Sequence, residues 1–398
     1  MGLLLVVIAV PVHAQEVEET IRIKTRVVFL DALVKDKKTN LPISNLATDN
    51  FEVLDDGKPR PISYFTREGE ARKPLALVLI MDLRESGAGR FLRRAEIIKA
   101  MEAELAKLPP GDEIAIMAMD FNEDEERFWV TEFTNERAKL ASALARVQAI
   151  CEKKESFPPE ARQQTATVTT TAKPEVLETE TIKGKNGAVV TRTTMTDGTV
   201  NVKRVNKDGD VTIELDDVYD MAAAVKEAIR KSEQLRPNSQ TSVVWISDGI
   251  APIFFEDRDA TEQLLIRNNV IFNSLTVELR TLFKFLMPVG KPVAGWLGIS
   301  LYGSAKHLAQ RSGGEAVKVG KPKDYSAGLA RIIGNLTARY SLGFTLAESE
   351  TDDGRLHSLE VRVNAKDEKG KKRKLLVTSR QGYYMSTAMP KEAAVRAQ

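Results

Sequence analysis

One cysteine, three histidines and nearly equal numbers of opposite charges set the first limits on this chain of 398 residues. Cys151 has no second cysteine to pair with, so neither an internal disulfide nor a thiolate cluster for zinc is available. His13, His307 and His357 do not make a His-Glu-x-x-His motif, and no Gly-x-x-x-x-Gly-Lys-Ser/Thr phosphate loop occurs. The stretch Gly298-Ile299-Ser300-Leu301-Tyr302-Gly303 misses the Gly-x-Ser-x-Gly nucleophile elbow by one residue. Lys and Arg (58) exceed Asp and Glu (56) by only two, which removes any bulk electrostatic case for nucleic acid or an anionic membrane.

Residues 2–12 form one apolar run, too short to cross ~30 Å of hydrocarbon as a helix but of the length of a signal-peptide core. Val12-His13-Ala14-Gln15 follows, with small residues spaced for a signal peptidase. The expectation is a signal peptide over 1–14 and export to the periplasm or the outside of the cell, with no transmembrane anchor in the mature chain. No cysteine stands just after the cut to carry a lipid.

What is present is a change of period along the chain. Over residues 20–68, Ile21, Ile23, Thr25, Val27 and Phe29 alternate with Arg22, Lys24 and Arg26, and Asp56-Gly57 closes a hairpin. From 72 to 340, apolar strand-like runs alternate with helical periods. Helices are expected over 90–108, 135–151, 218–235, 259–267, 304–312 and 325–340, and a loop over 282–296. This predicts an α/β fold with a doubly wound, mostly parallel sheet. Residues 157–215 interrupt it with few large apolar side chains and three turn dipeptides, Asn186-Gly187, Asp197-Gly198 and Asp208-Gly209, which predict an inserted β-meander. Residues 341–385 return to strand alternation before a tail over 386–398. Because each terminal segment is thin for a core, the two are expected to join in one flanking β-sandwich-like domain. The acidic run Glu123-Asp124-Glu125-Glu126 reads as a solvated hairpin tip, and His307 and His357 as packing or surface residues.

The chemistry concentrates after two strands. Residues 75–80 are six apolar residues without alternation, the pattern of a strand covered on both faces, and they lead to Asp82-Leu83-Arg84-Glu85-Ser86. Residues 242–246 repeat the pattern and lead to Ser247-Asp248-Gly249. Ligands of open α/β sheets lie outside the carboxyl ends of the strands, so these acids and hydroxyls share one candidate edge.

These motifs resemble the von Willebrand factor type A domain, in which Asp-x-Ser-x-Ser, a Thr and a further Asp bind Mg²⁺ or Mn²⁺. The resemblance implies a degenerate metal site of Asp82, Ser86, Asp216 and Asp248, with Arg84, Glu85, Asp217 and Ser247 as partner-facing neighbours. The departures are specific. Arg84 stands at the first Ser position, and a guanidinium cannot ligate a cation, so Arg84 either turns away or replaces the metal. Val218-Tyr219-Asp220 resembles the opening of the family's next helix and puts Asp216 or Asp217 where the Thr belongs. An Asp there binds a metal or pairs with Arg84; in a wholly degenerate fold, Asp82 and Asp248 merely cap helices. The segments Leu46-Ala47-Thr48-Asp49-Asn50-Phe51-Glu52-Val53-Leu54-Asp55-Asp56-Gly57-Lys58-Pro59, Tyr340-Ser341-Leu342-Gly343-Phe344 and Arg380-Gln381-Gly382-Tyr383-Tyr384 resemble acidobacterial type A-related exported proteins. That resemblance implies architecture and export and supplies no ligand; the expectation for function is an exported, non-enzymatic binding or adhesion-type module that engages a protein or envelope ligand, through an acidic residue of that ligand, at the edge holding Asp82, Ser86, Asp216 and Asp248. The competing expectation is an envelope assembly component that binds through the meander.

Overall fold

The computed structural model describes residues 26–67, 72–84, 88–119, 127–154, 175–184, 187–195, 200–209, 212–216, 221–247, 250–277, 299–321, 323–366 and 370–385. The expected signal peptide, the acidic run 123–126, the loop 282–296 and the tail lie outside them. Among the described residues no helix is long and apolar enough to cross a membrane.

The chain opens with β1 (Arg26–Asp36), β2 (Phe51–Asp55), β3 (Lys58–Arg60) and β4 (Tyr64–Thr66). Asp56 and Gly57, at φ 48° and 78°, make the turn between β2 and β3, with both central residues in the left-handed region that suits strand twist.

Next come β5 (Leu75–Asp82), α1 (Gly89–Leu92), α2 (Ala95–Leu105), β6 (Glu113–Met119), β7 (Arg127–Thr134) and α3 (Arg137–Cys151). The single helix expected over 90–108 is two, because Arg94 is extended (φ −94°, ψ 122°) and begins the second. The inserted strands are β8 (Val176–Lys183), β9 (Val189–Met195), β10 (Val200–Val205) and β11 (Thr212–Asp216). The α/β pattern resumes with α4 (Met221–Leu235), β12 (Gln240–Ser247), β13 (Ile250–Phe254), α5 (Phe255–Arg267), β14 (Ile271–Val277), β15 (Ile299–Tyr302), α6 (Ser304–Ser312), β16 (Ala316–Val319) and α7 (Lys323–Thr337). Helix α5 starts four residues before the expected Asp259, and α7 stops short of Tyr340, which belongs to the next strand.

Six of these strands form one sheet in the order β16-β14-β12-β5-β6-β7. All neighbours are parallel except β6 and β7, whose short connection has no room for a crossover helix. The strand order reverses between β5 and β12, the switch point of a doubly wound sheet. Leu77, Leu79 and Met81 of β5 pack with Met101 of α2, Leu144 of α3 and Leu329 of α7 on one face. Val78 and Ile80 pack with Val225 of α4 and Leu308 of α6 on the other. Cover on both faces is the reason β5 is buried at every position. The pair β13–β15 is a short antiparallel ribbon absent from the sequence expectation.

The meander β11-β10-β9-β8 is antiparallel throughout. It lies against the first turn of α5 through two largely buried ion pairs. Arg204 gives Nε and Nη2 to Glu256 at 3.1 and 3.0 Å, and Arg192 meets Asp257 at 3.2 Å. Two acids in the first turn of a helix favour its dipole, and here they also hold the insertion. Ala188, Val190 and Val202 are buried beneath it, whereas the outer strand β8 leaves Val176 and Leu177 58% and 69% exposed.

The chain closes with β17 (Tyr340–Leu346), β18 (His357–Val363), β19 (Leu375–Thr378) and β20 (Gly382–Tyr383). These strands interleave with the first four in two sheets, β19-β1-β17-β4 and β20-β18-β2-β3. Leu30, Val53, Phe344, Leu359 and Tyr383 fill the space between. Tyr340 pins the N-terminal loop, its hydroxyl donating to Ile43 O at 2.7 Å and accepting from Leu46 N at 3.0 Å. The sandwich is tied to the α/β layer by the Lys35–Glu315 ion pair and by buried Arg380, which donates to the carbonyls of Ile266 and Phe29.

Candidate functional site

At the switch point, Asp82 ends β5 and Ser247 ends β12, side by side at the carboxyl edge of the sheet. Both are buried, Asp82 to 1% exposure. Arg84 folds back onto Asp82: its Nε donates to Oδ1 at 2.9 Å and its Nη2 to Oδ2 at 2.7 Å. The Arg84 backbone N–H adds a bond to Oδ1 at 3.1 Å, and the Ser247 hydroxyl one to Oδ2 at 3.0 Å. A carboxylate offers about four lone-pair sites, and all of them are taken. Of the two alternatives for Arg84, the structure shows the guanidinium lying on the acid that would begin a metal site.

In this arrangement Asp82 itself presents no free lone pair to a divalent cation. A metal on Asp82 would have to displace a bidentate, charge-assisted pair and sit against a positive charge. Asp216 is the last residue of β11, opposite Asn201, in the meander sheet rather than the six-stranded one. Glu85, Ser86, Asp217 and Asp248 lie outside the described residues, so of the expected site the structure brings together Asp82, Arg84 and Ser247.

Two further residues shape this edge without having announced themselves in the sequence. Gly89 packs so tightly under the turn that a Cβ there would stand 2.1 Å from Leu83 O and 2.7 Å from Arg84 O. Its lack of a side chain is what lets the chain double back where Arg84 turns. Tyr325 of α7 is fully buried beside Phe91, ring centroids 6.2 Å apart, and its hydroxyl has no partner among the described residues. Burial first, then the nearby charges of Cys151 and Asp82, push its pKa up, so the phenol keeps its proton.

Among the described residues one other group gathers metal-capable side chains, Asp55, Asp56 and His357. His357, expected to be a packing or surface residue, is buried between two carboxylates, Nδ1 3.0 Å from Asp56 and Nε2 3.2 Å from Asp353. Arginines pair with the same acids: Arg60 gives Asp55 Oδ2 two bonds, at 3.0 and 2.8 Å, while Asp55 Oδ1 is buried with no partner among the described residues, and Arg355 meets Asp56 at 2.9 Å. The cluster is a salt-bridge network closing the sandwich hairpins. His307 pairs with Glu262 at 2.7 Å on the surface of α6.

Neither a protein-family model nor a curated relative matches the sequence. Among solved structures the chain is similar to the pilus adhesin SpaC from Lactobacillus rhamnosus GG in its open conformation, at 7% identity and a TM-score of 0.35. The alignment covers 86% of this chain and 48% of that one, so the chain spans about half the length of the adhesin.

Proposed function

We propose that this is an exported, non-enzymatic binding module of the adhesion type, built on a von Willebrand factor type A-like domain. In this reading an internal ion pair has replaced the metal site. The observation that carries it is the bidentate Arg84–Asp82 pair at the switch point. With Asp82 neutralised from within, an acidic group of a protein or envelope ligand meets no opposing charge there and needs no Mg²⁺ or Mn²⁺ bridge. Titration calorimetry with Mg²⁺, Mn²⁺ and Ca²⁺ tests this directly. The wild-type chain gives no saturable heat, and Arg84→Ser, which restores a hydroxyl and frees the carboxylate, gains Mn²⁺ binding. Saturable binding by the wild type that disappears in Asp82→Ala would sink the metal-free reading. Capture of envelope proteins by the immobilised chain is expected to persist in EDTA.

A second reading is favoured by the outer strand of the meander. Among the described residues strand β8 is the outermost of its sheet, with Val176 and Leu177 exposed, the arrangement that accepts an added strand from another chain. Under it, Leu177→Lys abolishes capture while Arg84→Ser leaves it unchanged.

A further inference from the structure

The near balance of charge over the whole chain hides a local excess. Residues 36–40 and 366–374 together carry eight lysines and arginines against three acids, an excess of five in a chain whose total excess is two. The fold sets these two segments side by side at one end of the sandwich. Asp36 of β1 pairs with Leu375 of β19, and just beyond that pair the Lys37 N–H donates to Lys374 O at 2.9 Å. The second segment is tied back on itself, the Arg373 N–H donating to Ala365 O at 2.9 Å and Lys366 bridging Lys372. Backbone bonds thus bring Lys37 and Lys38 against the run Lys371-Lys372-Arg373-Lys374 from the far end of the chain. The lysines of both segments that the structure describes are exposed. Of the acids, Asp36 is spent on its own turn: its Oδ1 accepts from the N–H groups of Lys38 and Thr39 at 2.9 and 3.0 Å. The bond from Thr39, then that from Lys38, hold its carboxyl below the ordinary range.

Charge alone does not choose among anionic partners, but the apolar residues beside it do. Leu41 and Leu376 are 65% and 40% exposed. Leu376 pairs with Lys35 on one side of β1, Pro42 bridges Lys35 on the other, and Leu41 O accepts from Asp36 N at 3.0 Å. The two leucines therefore flank the end of β1, each roughly one strand spacing (~5 Å) from it. Cations set around exposed aliphatic side chains suit an anionic bilayer, with ammonium groups among the headgroups and the leucines below them. Residues 35–42 and 365–376 contain no aromatic side chain, so these segments offer no ring for a nucleic acid base to stack on.

We propose that this end of the sandwich is a membrane-binding surface for anionic phospholipid headgroups, with the lysines of the turn 36–40 and the run 371–374 on the phosphates and Leu41 entering the interface. It shares no residue with the Asp82 edge, and neither proposal needs the other.

The test is co-sedimentation of the full chain with two kinds of vesicle, one of phosphatidylcholine alone and one with phosphatidylglycerol mixed in. The apolar run 2–12 partitions without regard to headgroup charge, so the quantity read is the ratio of the two affinities. A ratio of at least about a hundred in favour of phosphatidylglycerol, falling as salt rises, is expected. Lys372→Glu combined with Lys374→Glu lowers it at least about tenfold. Lys99→Glu combined with Lys139→Glu, the same change of charge at exposed positions of α2 and α3, leaves it within about twofold. Leu41→Ser weakens binding to the anionic vesicles about fourfold, the contribution of one buried methylene, without altering the salt dependence. Equal affinity for the two vesicles, or the same loss in both double variants, would overturn the proposal. Tighter binding to DNA than to anionic vesicles, with Leu41→Ser neutral for both, would overturn it in favour of a nucleic acid surface.

Discussion

Arg84 and Arg339 stand at the two ends of one parallel sheet, and their surroundings differ in kind. At the carboxyl end, Arg84 spends Nε and Nη2 on Asp82, a partner two residues away in the chain. At the amino end, Arg339 reaches a single backbone carbonyl, and its Nε and Nη1 are buried with no acceptor among the described residues. A local partner closes a site from within. A residue whose surroundings are assembled from distant segments is left with whatever acceptors the packing brings.

Three measurements press on that contrast. The largest effect belongs to Asp82→Ala, which leaves a guanidinium largely withdrawn from water without its counter-charge. A loss of roughly 3 kcal/mol in denaturant unfolding is expected, and Arg84→Ala in the same background should recover much of it. A double variant no more stable than Asp82→Ala would break the comparison, because the pair would not be acting as a unit. Acid acts next, at the other end. Burial raises the pKa of Glu315, but its bonds to Lys35 and Arg331 outweigh that and hold it below the ordinary 4.5. The stabilisation is therefore present above pH 4.5 and lost as pH falls through the lower folded value. Hydrogen exchange of β1 and β16 should accelerate in that range and not in Glu315→Gln; the same acid response in the variant would remove Glu315 as its cause. The smallest change is Arg339→Met, expected to alter stability by less than about 1 kcal/mol, since an unsatisfied buried charge gives way to a packed apolar chain. A loss as large as that of Asp82→Ala would mean that Arg339 is already satisfied.

The legible parts of this fold are those where one segment alone dictates the answer. Strands β5 and β12 are read from uninterrupted apolar runs, and the meander from its evenly spaced turn dipeptides. The Asp56-Gly57 turn is read from residues that tolerate positive φ. What the sequence concealed depends on meeting across distance or on a choice of rotamer. That Arg84 turns inward rather than away is a side-chain choice that no spacing in the sequence announces. The ribbon β13–β15 joins residues on either side of β14, and neither strand is long enough to show a period. The break at Arg94 lies inside an otherwise continuous helical pattern, which gives no cue to an extended residue there. Arg339 reads as an ordinary charged residue after a helix; its surroundings exist only once Asp31, Lys73 and Gly313 have been gathered from three separate parts of the chain.

The interleaved sandwich also fixes an order of events during synthesis. Arg26 pairs with Leu346 and Phe29 with Gly343, so β1 has no partner in β17 until some 300 further residues have left the ribosome. At ordinary elongation rates that wait is on the order of tens of seconds, far longer than a helix or hairpin needs to form. Throughout it the apolar face carrying Val28 and Leu30 can close only on Ile43, Leu46, Phe51 and Val53 of its own segment, without Leu342 and Phe344, while the α/β layer, complete by Thr337, is free to fold and to bring β1 and β17 within reach. Strand β1 thus waits half covered while the whole α/β layer is made, and strands encoded beyond that layer finish its cover.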